Sequence, residues 1–193
     1  FIARYHNMIR EENRRMHTQV ENVLRISKLE KDELDLEKAA VNLHEIITDA
    51  VTHVSLIVEN KGGYIKTHFF AENSNTFGSD FHLTNIIVNI IDNAIKYSGN
   101  SRKVDVKLGI VEQTVRITVK DFGIGISKKE RKRIFSRFYR SERLSFGSIT
   151  GSGIGLSIVS EIVKAHNGCI EMDSELGVGS TFSVYLPINR SKS

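Results

Sequence analysis

The chain has 193 residues, 40% hydrophobic and 26% charged, with one proline and one cysteine; this balance excludes a disordered polymer, an internal disulfide and a cysteine-based zinc site. No apolar run reaches the length of a membrane span, and nothing in the opening residues reads as a signal peptide. The net charge of +4 is uneven: Lys128 to Arg143 holds eight basic residues and two acids, leaving the remainder near balance at −2, and so basic a segment could meet phosphate groups.

Residues 1–30 read as one long helix. Ile2, Ile9, Met16 and Val23 recur every seven residues, while the companion positions Tyr5, Glu12, Gln19 and Ile26 are half polar. That pattern suits one helix of a bundle rather than a two-stranded coil. No other stretch offers a matching long helix, so the expected partner is a second copy or an upstream helix. The chain starts at Phe1, and it is read as part of a longer protein.

Leu34-Asp35-Leu36 alternates as a short edge strand would. Asn42 followed by Glu45 resembles a capping box. Apolar positions 43, 46, 47, 50, 51, 54, 57 and 58 then predict an amphipathic helix ending before Lys61-Gly62-Gly63. Tyr64 to Phe70 is strand-like, and Ala71 to Ser79 reads as polar turn material.

Leu83 to Gly99 has a distinct pattern. Asn85, Asn89 and Asn93 recur every four residues between Ile86, Ile87, Ile90, Ile91, Ala94 and Ile95. This predicts a helix with one apolar face and a narrow row of amides, with Lys96 and Tyr97 at its C-terminal end. Asparagine is a mediocre helix former because its side chain competes with the backbone for hydrogen bonds. A solvated face ordinarily carries Glu and Lys, so the row points to function.

After Asn100 the period changes to two. Val104, Val106, Leu108 and Ile110 face Val115, Ile117 and Val119 across Glu112-Gln113-Thr114, which predicts an antiparallel hairpin. It runs into Asp121-Phe122-Gly123-Ile124-Gly125. Residues 127–150 hold the basic cluster and no repeat. Gly151-Ser152-Gly153-Ile154-Gly155-Leu156 opens another helix, which stops at Asn167-Gly168. Two last strands follow, joined through Gly177-Val178-Gly179, and Cys169 is read as small buried packing on the first of them. The sum is an α+β chain: a two-layer sandwich with helices on one face of a mixed sheet.

The two glycine-rich turns, 123–125 and 151–155, allow positive φ and close backbone approach, and their N–H groups are suited to phosphate oxygens. A helix beginning at Gly155 adds a positive dipole end. Neither turn is a Rossmann fingerprint, because Lys128 stands where a third glycine belongs, and no P-loop is present. Asp121-Phe122-Gly123 spells the protein-kinase magnesium triplet without the catalytic-loop motif that accompanies it.

Taken in order, the pieces resemble the boxes of sensor histidine kinases, within the wider GHKL ATPase superfamily. Asn89 to Ser98 resembles the asparagine box and Asp121 to Gly125 the first glycine box. Ile134-Phe135-Ser136-Arg137-Phe138-Tyr139-Arg140 is similar to the phenylalanine box. Thr150 to Leu156 resembles the second glycine box, and Gly177-Val178-Gly179-Ser180-Thr181-Phe182 the usual ending. The resemblance implies a Bergerat-type ATP-binding sandwich over 34–193, preceded at 1–33 by the second helix of a dimerisation hairpin.

It also implies roles. Asn93 would ligate Mg²⁺ with Asn89 beside it, Lys96 would reach a phosphate of ATP, and Tyr97 would pack near the adenine. Asp121 would accept a hydrogen bond from the adenine amine, and Gly125 would let the base sit close. Gly123, Ile126, Phe135, Tyr139, Thr150 to Leu156 and Thr181 would complete the nucleotide site. Residues 126–150 would form a lid in which Arg140 meets the terminal phosphate and Phe135 and Phe138 anchor the lid to the domain. Asn89, Lys96 and Arg140 would be catalytic, with transfer to a histidine and relay to a response-regulator receiver domain. The expected assembly is a cytoplasmic homodimer anchored through upstream segments, with no nucleic acid and no membrane contact by this stretch.

The resemblance lacks one part. The accepting histidine sits in a box like H-[DE]-x-[RK]-[TN]-P. His44-Glu45-Ile46-Ile47-Thr48 imitates it, but Ile47 replaces the basic residue and Asp49 the proline. The acceptor is therefore expected upstream of Phe1. Competing readings are an ATPase of another GHKL class, or a nucleic-acid module using the basic cluster with Phe135, Phe138 and Tyr139.

Overall fold

The computed structural model describes residues 5, 10, 13, 37–60, 62–72, 74–99, 102–141 and 151–188. The chain divides into two units, Phe1–Asp35 and Leu36–Ser193. In the first, Tyr5, Arg10 and Asn13 are helical; the heptad pattern as a whole, and the edge strand read at 34–36, lie outside the described residues.

The second unit begins with strand β1 (Ala39–Asn42) and helix α1 (Leu43–Asn60). Asn42 starts the helix by accepting a hydrogen bond from the His44 N–H (2.9 Å) while its amide donates to Glu45 (3.3 Å). Leu43, Ile46, Ile47, Ala50, Val54 and Val58 form the buried stripe. Gly62, at φ 72°, turns the chain out of the helix as its N–H bonds back to the Glu59 carbonyl.

Strand β2 (Tyr64–Phe69), strand β3 (Asn75–Gly78) and helix α2 (Asp80–Tyr97) follow. Then come the hairpin β4 (Lys103–Val111) and β5 (Thr114–Asp121), helix α3 (Gly155–Ala165), and strands β6 (Cys169–Glu175) and β7 (Gly179–Pro187). The main sheet runs β2-β4-β5-β7-β6; β2 is parallel to β4 and every other pairing is antiparallel. Val104, Val106, Leu108, Val115, Ile117, Val119, Phe182, Val184 and Leu186 alternate onto its inner face and share one core with the apolar faces of α1, α2 and α3. The two-layer mixed sandwich read from the sequence is the observed architecture. No helix among the described residues is long and apolar enough to cross a membrane.

Two readings are corrected. The segment 71–79, read as a turn, contains β3, which pairs with β1. Its alternation is inverted: Thr76 is buried and bonds to the Pro187 carbonyl (2.8 Å), while Phe77 is exposed. Cys169 is exposed rather than buried, because β6 turns Ile170 and Met172 toward the core. Residues 127–141 form consecutive turns, with Arg131 bonded to the Ser127 carbonyl and Ile134 to that of Glu130.

His166, next to the end of α3, joins two helices. Its Nδ1 lies 2.8 Å from the Ile162 carbonyl, and its Nε2 lies 3.0 Å from the N–H of Ser79, the residue preceding α2. A carbonyl only accepts and a main-chain N–H only donates, so the ring is neutral with its proton on Nδ1. Burial, the largest influence, lowers its pKa from 6.5, and the Lys38 charge acts in the same direction. Lys38 itself donates to the Ala165 carbonyl at the end of the same helix (2.7 Å).

Candidate nucleotide site

The site is built on the C-terminal half of α2. Leu83, Ile86, Ile87, Ile90, Ile91, Ala94 and Ile95 are buried against sheet and neighbouring helices, which fixes the rotation of the amide row. Asn89 donates its amide to the Asn85 carbonyl (2.8 Å). Its oxygen faces Gly155, where a Cβ would lie 3.0 Å from Asn89 Oδ1 and 3.9 Å from Asn93 Nδ2. The first residue of α3 therefore lies over the row with no room for a side chain. The positive end of α3 and the amide row meet at one place.

The other glycine turn closes on the end of the same helix. A Cβ on Gly123 would stand 2.0 Å from the Tyr97 carbonyl oxygen, and the Ile124 N–H donates to that oxygen (3.0 Å). Asp121, at the end of β5, is 3% exposed. Its Oδ1 accepts from the N–H groups of Gly123 (2.9 Å) and Ser180 (3.2 Å). Burial raises its pKa above the ordinary 3.8, and these hydrogen bonds oppose the rise. Asp121 is thus a positioned, desolvated acceptor.

Other predicted residues have different surroundings. The room left by Gly125 (φ 64°) is taken by the Glu175 carbonyl, 2.0 Å from where its Cβ would be; a side chain there would clash with the chain itself. Ile154 is 1% exposed and belongs to the interior, while Leu156 and Ile126 are half-buried against the core. Lys96 is ion-paired with Asp92 one turn back. Gly151 and Ser152 are half-buried, and a Cβ on Gly151 would meet nothing within 4 Å. Thr150 lies outside the described residues.

Thr181 is displaced by one position from where a site residue is needed. On β7, Ser180 and Phe182 are buried while Thr181 is paired with Lys120 and Asp173 on the opposite face. The residue at Asp121 is Ser180, whose N–H and hydroxyl both act on the carboxylate. Gly179 was also missed: its φ is 131°, and a Cβ there would lie 2.2 Å from the Asp121 carbonyl oxygen. Ser180 was legible only through strand parity, which a run of small polar residues does not reveal.

In the basic segment, Phe135 is the anchor it was read to be, edge-on to Phe182 at 6.4 Å. Phe138 is not: it is 61% exposed with φ 61°. Gly153, at φ 71°, packs under it, with a Cβ position 2.8 Å from the Tyr139 carbonyl oxygen. Tyr139 donates to Glu130 (3.5 Å) and carries the Arg133 guanidinium over its ring (4.7 Å). Arg140 lines a concavity with Arg133 and Arg137.

Residues 78–190 match the family of histidine kinase-, DNA gyrase B-, and HSP90-like ATPases. The sensor protein RprX of Bacteroides fragilis is 33% identical over 183 residues, covering 94% of this chain and 35% of RprX. Among solved structures, full-length ShkA in complex with AMPPNP is 25% identical with a TM-score of 0.85, over 98% of this chain and 39% of that one. The mycobacterial sensor histidine kinase MprB is 26% identical with a TM-score of 0.65, over 78% of this chain and 97% of that one. The chain thus spans about a third of the length of RprX. On the extent of the family match, this chain belongs to the histidine kinase-, DNA gyrase B- and HSP90-like ATPases.

Proposed function

We propose that this chain is the ATP-binding catalytic part of a sensor histidine kinase. It would transfer the ATP γ-phosphoryl group to a histidine outside this sequence, for relay to an aspartate of a response-regulator receiver domain. The working assembly would be a cytoplasmic homodimer joined through the N-terminal helix. One observation carries the reading: the Gly123 turn, to which the buried Asp121 is bonded, and the start of α3 at Gly155 both close on the same half of α2. The names of the sensor protein RprX and the sensor histidine kinase MprB, and the AMPPNP bound by ShkA, agree with it.

The residues present fit a magnesium nucleotide. Asn89 presents an amide oxygen toward the first residue of α3, where a glycine permits the close approach, and Asn93 stands one turn on. Amide oxygens are hard donors that add no negative charge beside phosphates, and Mg²⁺ supplies charge neutralisation there when bound. The N-terminal N–H groups of α3 favour phosphate oxygens. Asp121 accepts from an exocyclic amine, which selects adenine over guanine, whose equivalent position carries an oxygen. Tyr97 packs beside the base, and Lys96 exchanges Asp92 for a phosphate oxygen. Arg140 would reach the terminal phosphate from the lid. The amide row Asn85, Asn89 and Asn93 carries no carboxylate; a hydrolase would need a general base there. The residues' contribution is mainly positioning and charge complementarity.

Calorimetric titration of ATP–Mg²⁺ into the parent, Asn93→Ala and Asp121→Ala tests this. Each variant is expected to bind at least tenfold more weakly, about 1.4 kcal/mol. Parental affinity in both variants would remove the site.

A further inference from the structure

Ser174 is buried on the face of β6 that also turns Ile170 and Met172 toward the core. Its hydroxyl accepts a hydrogen bond from the Ile126 N–H (2.8 Å), donates to the Gly179 carbonyl (2.9 Å) and lies 3.0 Å from the Ser180 hydroxyl. A hydroxyl has one hydrogen and two lone pairs, so these contacts occupy it fully. The Arg131 guanidinium donates to the Ser174 carbonyl, and Ser174 pairs with Ser180 across the two strands.

Each partner of the hydroxyl belongs to the surroundings of Asp121. Ile126 follows the 121–125 turn, whose Gly123 N–H bonds to Asp121 Oδ1. Gly179 lies so close to the Asp121 carbonyl that a Cβ would stand 2.2 Å from its oxygen. Ser180 gives the carboxylate both its N–H and its hydroxyl. With that hydrogen committed to the carboxylate, Ser180 Oγ offers only lone pairs. Ser174 is therefore the donor across the 3.0 Å contact, and shares its hydrogen with the Gly179 carbonyl. The chain runs from the Ile126 N–H to Ser174, then Ser180, then Asp121, and both serines and the aspartate are buried. Hydrogen bonds in such a chain polarise one another where water is excluded. The carboxylate thus takes donors from the 121–125 turn and from the start of β7, and Ser174 bonds to both segments. A hydrogen bond weakens steeply as it bends, so a carboxylate free to turn reads an amine poorly. Resting on the reading of Asp121 as acceptor for the adenine amine, we propose that Ser174 is a positioning residue for base selection. Its hydroxyl ties the turn to β7 and so fixes the carboxylate that meets the amine, without itself touching the nucleotide.

The full chain is titrated calorimetrically with ATP–Mg²⁺ and with the magnesium 5′-triphosphate of purine riboside, which lacks the exocyclic amine and otherwise matches adenosine. Parent, Ser174→Ala, Ser174→Cys, Ser174→Thr and Asp121→Ala are compared by the ratio of the two affinities. Both ligands draw on the same folded molecules, so partial unfolding leaves this ratio unchanged. The cysteine variant is close to serine in volume but bonds weakly, and it carries the test if the alanine variant does not fold. The parent is expected to prefer ATP by about tenfold, and Asp121→Ala to show almost no preference. Ser174→Ala and Ser174→Cys are expected to lose about threefold of the parental preference, through ATP alone, while Ser174→Thr, which keeps the hydroxyl, stays near the parent. The inference is overturned if the alanine and cysteine variants keep the parental ratio, even with both nucleotides weakened, because a serine that merely fills the core moves them alike. It is also overturned if Ser174→Thr loses as much as Ser174→Ala. A parent without preference would remove the role of Asp121 as well. A parental preference that Asp121→Ala abolishes and the Ser174 variants keep would remove only the role of Ser174.

Discussion

Asp121 is placed where its charge is costly. Its pKa is raised by burial, so the folded chain holds its proton more tightly than the unfolded one. Its contribution to stability is present below pH 3.8 and is lost as pH rises through the folded value. Asp121→Asn is therefore expected to raise the melting temperature at pH 7 while weakening ATP binding at least tenfold, a trade of stability against function that ordinary core positions do not show. If the variant instead melts lower, the carboxylate is stabilised as the ion. The glycines separate by the same logic. Gly123→Ala drives a Cβ into the Tyr97 carbonyl and should cost about 3 kcal/mol in chemical denaturation. Gly109→Ala, with nothing within 4 Å of the added Cβ, should change stability by about 0.5 kcal/mol or less, in the stabilising direction.

At the scale of elements, α3 is joined to α2 at both of its own ends. Gly155 meets Asn89 at one end, and His166 meets the Ser79 N–H at the other. The second joint titrates. The folded pKa of His166 is lowered, so its stabilising effect is complete above 6.5 and is lost as pH falls through the folded value. Protonation puts a donor on Nε2, facing a donor, beside the Lys38 ammonium. The urea midpoint should fall as the buffer moves from about pH 7.5 to 5, at up to about 1.4 kcal/mol per pH unit, and His166→Gln should flatten that slope; an unchanged slope would assign the acid sensitivity to other groups. These joints were only partly legible in the sequence. The amide row and both glycine turns announced α2 and the entry of α3, because periodicity and glycine spacing are local. That His166 faces Ser79 depends on how helices pack, 87 residues apart in the chain, and no local pattern carries it. β3 was hidden for a different reason: it buries Thr76 and exposes Phe77, reversing the polarity on which strand reading rests. Ser180 and Thr181 differ only in which side of β7 they occupy, and that parity is set by the register with β5.

For the whole chain, every described site residue falls within Leu36–Ser193, while the accepting histidine is expected elsewhere. Incubated with ATP–Mg²⁺, the 193-residue chain is expected to bind nucleotide without forming acid-labile, base-stable phosphohistidine; such a product on His6, His17 or His44 would place the acceptor within this sequence. The exposed position of Cys169 has a practical consequence. It is the chain's single cysteine, and it lies on β6, an edge strand of the main sheet. A thiol reagent should therefore modify the native protein stoichiometrically, without denaturant. One fluorophore can then be attached at a known place with no cysteine added or removed, and nucleotide-driven movements followed by the distance from that fixed beacon to a labelled ATP.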